Sequence, residues 1–184
     1  LLYEIHCDEA GLKHHLIRKV SYRVVKQITD LLSNTSGRDC FWNEATNERM
    51  SSEVIRAILQ SIEHRQLIYM LSYQDVAEKT ALHRYARLKK RGVIQMILDC
   101  YVSKNECYQL LSSTDQRRRT PLNMSCIAGD AESARVMLSH VNQDMRYSLL
   151  QMRDKFNGSP LHYTSRDGHT DVMNMIHESV TQTQ

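Results

Sequence analysis

Apolar side chains along this chain recur mostly at intervals of three and four, the spacing that lines one face of a helix. Between Ser51 and Leu71 the stripe is Val54, Ile55, Ile58, Leu59, Ile62, Leu67, Ile68, Met70 and Leu71. Further on, the apolar positions gather into shorter clusters: Val93-Ile94 with Met96-Ile97-Leu98, then Val136-Met137-Leu138, then Val172-Met173. Each cluster follows a helix-opening segment, namely Thr80-Ala81-Leu82-His83, Thr120-Pro121-Leu122-Asn123 and Ser159-Pro160-Leu161-His162. The threonine or serine accepts a backbone N–H of the first turn, and a proline beside it loses nothing because its missing N–H would have been unpaired. Gly129 and Gly168 then end the second and third of these helices. The pattern predicts a short helix, a turn, and a second apolar helix packed back on the first, three times over.

The three copies align without a gap from the Thr or Ser to the last apolar cluster. Each has an aspartate five residues ahead of it, Asp75, Asp115 or Asp154, where a turn leads into the helix. Leu82, Leu122 and Leu161 are expected to point into a stack of such units. The small residues Ser125-Cys126 and Thr164-Ser165 share that face, where neighbouring helices approach closely; Tyr85-Ala86 stands there in the first copy and is expected to splay the contact. From Thr80 to Thr120 and on to Ser159 the spacings are 40 and 39. Extra chain therefore falls at Asp99 to Thr114 and His140 to Arg153, where the second helix runs on or gives way to a longer, ordered linker. Residues 1–49, with Leu12, Leu16, Val20, Val24, Val25, Ile28 and Leu31 at helical spacing, form a helical cap or a divergent copy. Residues 50–184 form the stack, and Leu67-Ile68-Tyr69-Met70-Leu71 reads as the end of a second helix in a degenerate first unit.

These motifs resemble ankyrin repeats, clearly over residues 75–178 and weakly over 50–74. The resemblance implies an all-α solenoid: about four to five helix-turn-helix repeats joined by β-hairpin fingers, the N-terminal ones degenerate, stacked right-handedly with a concave face. The spacings of 40 and 39 between Thr80, Thr120 and Ser159 exceed the family's usual value of about 33. It also implies that His83 and His162 bridge the hydroxyl of the Thr or Ser to nearby backbone, a task Asn123 takes over in part. In the family a turn glycine sits two residues before the Thr; here that place holds Glu78, Arg118 and Asn157. Only asparagine tolerates a left-handed backbone well, so looser turns are expected.

The resemblance implies a stack that holds another macromolecule rather than one that performs chemistry. The resemblance places partner contacts on the fingers and exposed inner-helix positions: Arg84, Arg87, Met124, Ile127, Tyr163 and Arg166, with Arg117, Arg118 and Arg119 on one finger. The expected function is a non-catalytic protein-interaction module of a larger intracellular protein. Two other readings share the motif evidence. One is the cytoplasmic ankyrin region of a membrane protein such as a TRP-type cation channel, whose repeats Leu149-Leu150, Asp154 and Gly158-Ser159-Pro160-Leu161-His162 resemble. The other is a regulatory part of an enzyme.

Charge refines the partner. The formal net charge is +3, too little for nucleic-acid binding by itself, but the stretch from Thr80 to Thr120 is locally basic. Arginines without interleaved aromatics suit an acidic protein segment better than nucleic acid; Lys89-Lys90-Arg91, in a turn, reads as solvated surface. Cys7, Cys40, Cys100, Cys107 and Cys126 are odd in number and form no CxxC pair, which points to free thiols in a reducing compartment, cytoplasmic rather than nuclear. No run of about 18 apolar residues marks a membrane span. Cys100 and Cys107 with His140 fit no common zinc spacing, Ser125-Cys126 has no nameable base, and Met70, Met96, Met137 and Met175 read as core; no metal, cofactor or catalytic residue is expected. Because the chain begins at Leu1, it reads as a piece of something longer.

Overall fold

A computed structural model of the chain describes residues 55–181 apart from Ala57, Ile58, Ser61, Glu63 and Val102. The expected cap or divergent unit at 1–49 lies outside the described residues. Those described form nine helices and no strand. In chain order the helices are α1 (His64–Ser72), α2 (Ala81–Arg87), α3 (Arg91–Asp99), α4 (Lys104–Ser112), α5 (Pro121–Ala128), α6 (Ala131–Ser139), α7 (Gln143–Gln151), α8 (Pro160–Arg166) and α9 (Thr170–Thr181).

The short helices α2, α5 and α8 pack side by side as one row, and α3, α6 and α9 as a second row against them. Small side chains let the first row approach closely: Ala81, Ala86, Ser125, Cys126 and Thr164 are buried there together with Leu82 and Leu122. Tyr85 does not splay this contact; it is buried to 1% exposure between α2 and its neighbours. Val93, Ile94, Ile97 and Leu98 of α3, Met137 and Leu138 of α6, and Val172, Met175 and Ile176 of α9 close the core from the second row. Leu161 departs from expectation. Its equivalents Leu82 and Leu122 are fully buried, but Leu161 is 43% exposed, because α8 is the last helix of its row among the described residues.

The extra chain in each unit is a third helix, not an extended second one. His64, Lys104 and Gln143 open α1, α4 and α7 at spacings of 40 and 39, so the three are equivalent. Leu67-Ile68-Tyr69-Met70-Leu71 accordingly belongs to a third helix, with Met70 and Leu71 in the places of Leu110-Leu111 and Leu149-Leu150, all buried. Local chemistry starts these helices. Ser103 and Glu106 form a reciprocal capping box, and the Asn142 side chain accepts the Met145 N–H at 3.0 Å.

The segments joining each third helix to the next unit are tight turns rather than strand pairs. The Asp115 N–H donates to the Arg119 carbonyl at 3.0 Å and the Arg118 N–H to the Asp115 carbonyl at 2.7 Å, with the same pattern at Asp75 and Asp154. Glu78, Arg118 and Asn157 take φ values of 57°, 59° and 62°, so the left-handed positions are where the missing glycines place them. The turns are not loosened by this, because the aspartate side chain clamps each one. Asp75 Oδ1 accepts the N–H groups of Ala77 and Lys79 at 2.8 and 2.9 Å, and Asp115 and Asp154 do the same one unit on. A left-handed non-glycine residue costs roughly 1–2 kcal/mol, of which glycine returns part through the extra freedom of the unfolded chain. Arg118→Gly is therefore expected to stabilise by up to about 1 kcal/mol, raising the melting temperature by about 2–4 °C. A lower melting temperature would show that the Arg118 side chain is needed for the turn.

Candidate functional site

Each clamp aspartate keeps its second oxygen for a different partner, and this choice decides which cations stay free. Asp75 Oδ2 takes the Arg84 guanidinium, nine positions on. Asp154 Oδ2 takes the Tyr163 hydroxyl, also nine positions on. In the middle unit that position is Met124, which has no donor to give, so Asp115 Oδ2 is instead held in a fork by Arg119 of its own turn, at 3.1 and 2.6 Å. Burial by itself would raise all three carboxyls, but the amide, arginine and tyrosine donors outweigh it and hold each below the ordinary carboxylate value. Burial, followed by the Asp154 contact, pushes the Tyr163 hydroxyl up to about 12.

The nine residues expected to meet a partner divide on this basis. Arg84 and Arg119 are committed to buried aspartates, and Arg119 is largely covered as well. Met124 is 1% exposed and Tyr163 8%. Met124 thus cannot reach a partner, and Tyr163 spends its hydroxyl on the clamp; both are corrected to structural roles. Ile127 is half-buried beside the second row, its carbonyl 3.3 Å from the His169 ring. Arg166 is exposed but forked onto Asp167 and laid over the Tyr163 ring, 4.9 Å from its centre. Arg87, Arg117 and Arg118 are exposed, and no described carboxylate pairs with them.

Arg87 and Arg117 come together. With Lys79, Ala77, Gln116 and the Asp115–Arg119 pair they line a recess of about 270 Å³ between the first two turns. Lys79 occupies the position from which Arg119 grips Asp115 one unit later; because Arg84 already holds Asp75, Lys79 is left without a described carboxylate. Neighbouring turns are also tied to one another. The Gln116 N–H donates to the Ala77 carbonyl at 3.2 Å, the Lys155 N–H to the Arg117 carbonyl at 2.9 Å, and the Gln116 side-chain amide to the Val76 carbonyl at 2.7 Å. The turn tips thus form one continuous edge, from which Val76 and Phe156 project at 88% and 75% exposure. Lys79, Val76, Lys155 and Phe156 were not among the expected contacts. The signal for the last three was the turn itself, since the two residues after each clamp aspartate occupy the tip.

The other cores of interest are closed. Ser125 and Cys126 are fully buried, and burial pushes the Cys126 thiol up to about 12, leaving it protonated at neutral pH. His83 Nδ1 accepts the Thr80 N–H at 3.1 Å and lies 2.9 Å from its hydroxyl, while Nε2 donates to the Arg119 carbonyl at 2.9 Å. The ring is a bridge between units. Asn123 reproduces only the near half, meeting the Thr120 hydroxyl at 2.6 Å.

No family model matches this chain, and no curated protein matches it. Its fold is similar to a solved one. A chain of the crystal structure of the yeast ribosomal protein Rps3 in complex with its chaperone Yar1 superposes with a TM-score of 0.60 at 13% identity, over 77% of this chain and 91% of that one. At that identity the likeness speaks for the fold alone.

Proposed function

We propose that this chain is an ankyrin-repeat module that binds another protein, without catalysis, along the edge formed by its turns. The observation that carries this reading is the recess between the first two turns, where Lys79, Arg87 and Arg117 converge, none of them paired with a described carboxylate. Aligned repeats with a Thr/Ser-capped first helix, the histidine bridge at His83 and the left-handed turn positions support the ankyrin assignment. The similar solved structure is of a ribosomal protein with its chaperone, a setting of protein recognition. An acidic segment of the partner fits the edge best: carboxylates meet the cations, while Val76 and Phe156 offer apolar contact beside them. Among the described residues no helix is long and apolar enough to cross a membrane.

The test is selection from a random peptide library, followed by affinity measurements on the peptides recovered. Selected peptides are expected to be rich in Asp and Glu, and Arg87→Glu combined with Arg117→Glu is expected to weaken them at least about tenfold, the loss of one charge-assisted contact or more. Helicity and melting should stay as they were, since neither side chain is part of a described ion pair. Selected peptides that bind the folded double variant as well as the parent would overturn the assignment of this edge.

A further inference from the structure

Resting on that reading, we infer that within an acidic segment of the partner the recess takes a phosphorylated side chain, a serine or threonine phosphate, in preference to a carboxylate. Internal pairing leaves positive charge over in the recess. Asp115 is the carboxylate in the wall, and both of its oxygens are spent: Oδ1 on the Arg117 and Arg119 N–H groups, Oδ2 on the Arg119 fork. It cancels Arg119 and nothing more. Lys79, Arg87 and Arg117 remain, three cations around one recess, none of them paired with a described carboxylate.

One Asp or Glu from a partner would bring a single negative charge and leave most of that excess unbalanced. A phosphate monoester brings nearly two charges and three strong acceptor oxygens, enough to engage all three side chains at once. Arginine forks match phosphate in two parallel hydrogen bonds, and lysine adds a point charge. Space agrees: a recess of about 270 Å³ has room for a phosphoryl group on its stem. The walls are also held in place. The Gln116 N–H and side-chain amide bind the first turn's carbonyls, and Asp115 clamps the backbone on either side of Arg118, so the turn that carries Arg117 is fixed before any ligand arrives.

Three pools of short random peptides that differ at one fixed central residue, phosphoserine, glutamate or serine, test this at about 150 mM salt, where diffuse surface attraction is largely screened. The phosphoserine pool is expected to be retained about tenfold over the glutamate pool, the worth of one further charge-assisted hydrogen bond, and the serine pool least. Lys79→Ala, Arg87→Ala and Arg117→Ala should each remove most of that preference. Arg118→Ala, on the same turn but outside the recess, should keep it. Equal retention of the phosphoserine and glutamate pools would overturn the phosphate assignment and leave acidic docking standing. No retention of either would overturn both. A loss as large in Arg118→Ala as in Arg117→Ala, or displacement of the phosphoserine pool by single-stranded RNA at lower concentration than by unlabelled phosphopeptide, would also overturn it, pointing to unspecific charge or to nucleic acid.

Discussion

Leu122→Ala is expected to cost about 2–5 kcal/mol, the range for buried leucines whose removal leaves a cavity that the surroundings cannot fill. Leu122 is fully buried on α5, the helix that packs against both α2 and α8, so its side chain has no free side toward which to relax. The same substitution at Leu161 provides the contrast. That leucine occupies the same position of its unit but is 43% exposed, and its loss should cost about 1 kcal/mol or less, because part of its surface was in water before the change. Denaturant unfolding of the two variants measures the difference directly. A cost below about 0.5 kcal/mol at Leu122 would show that it is not core. Equal costs at the two positions would show that another element covers Leu161 in solution.

What could be read from the chain was whatever depends on local spacing. The hydroxyl caps, the glycines after α5 and α8 and the apolar clusters placed the helix pairs correctly, since capping and amphipathic burial act within a few residues. The left-handed turn positions came instead from the resemblance to ankyrin repeats, whose turn glycine Glu78, Arg118 and Asn157 replace. The third helices were missed although one signal was present: Ser103-Lys104-Asn105-Glu106 has the capping-box form, and the structure makes that box. The aspartates were recognised as turn residues, but not as clamps that select a partner four or nine positions on. That choice depends on which of Lys79, Arg119 and Gly158, or of Arg84, Met124 and Tyr163, carries a suitable donor. Counting arginines along the chain therefore overstated the free charge: Arg84 and Arg119 balance the turns, and the neighbouring Lys79 is released. Met124 was misplaced for a similar reason, because an apolar residue on an inner helix is solvent-facing only if the next helix stands far away.

Acidification is expected to weaken the fold before the clamp aspartates protonate, and His83 is the cause. Burial strips the ring of water, an effect that outweighs its bond to the Arg119 carbonyl and the attraction of Asp115, and lowers its pKa from 6.5 to about 4. Lys79 works in the same direction as burial, and Asp75 against it. In the unfolded chain the imidazole takes a proton as pH drops through 6.5; in the fold it stays neutral until about 4. Protons are thus taken up by the unfolded state alone in that interval, so stability is full above pH 6.5 and declines by about 3 kcal/mol on the way to pH 4. The geometry gives the reason. Nδ1 accepts the Thr80 N–H, so a proton added there would leave that buried donor facing another donor. Below pH 4 the clamp aspartates continue the decline. Their values in the fold lie under the ordinary 3.8, so the stability they lend is present above it and is lost as pH falls through the lower values. His83→Asn separates the two intervals, because asparagine at the equivalent Asn123 caps the same turn without titrating. The variant should be less stable than the parent at pH 7, lacking the bridge to Arg119, yet should change little between pH 6.5 and 4. Unfolding free energies across that range that fall in parallel for parent and variant would remove His83 as the source of the acid sensitivity.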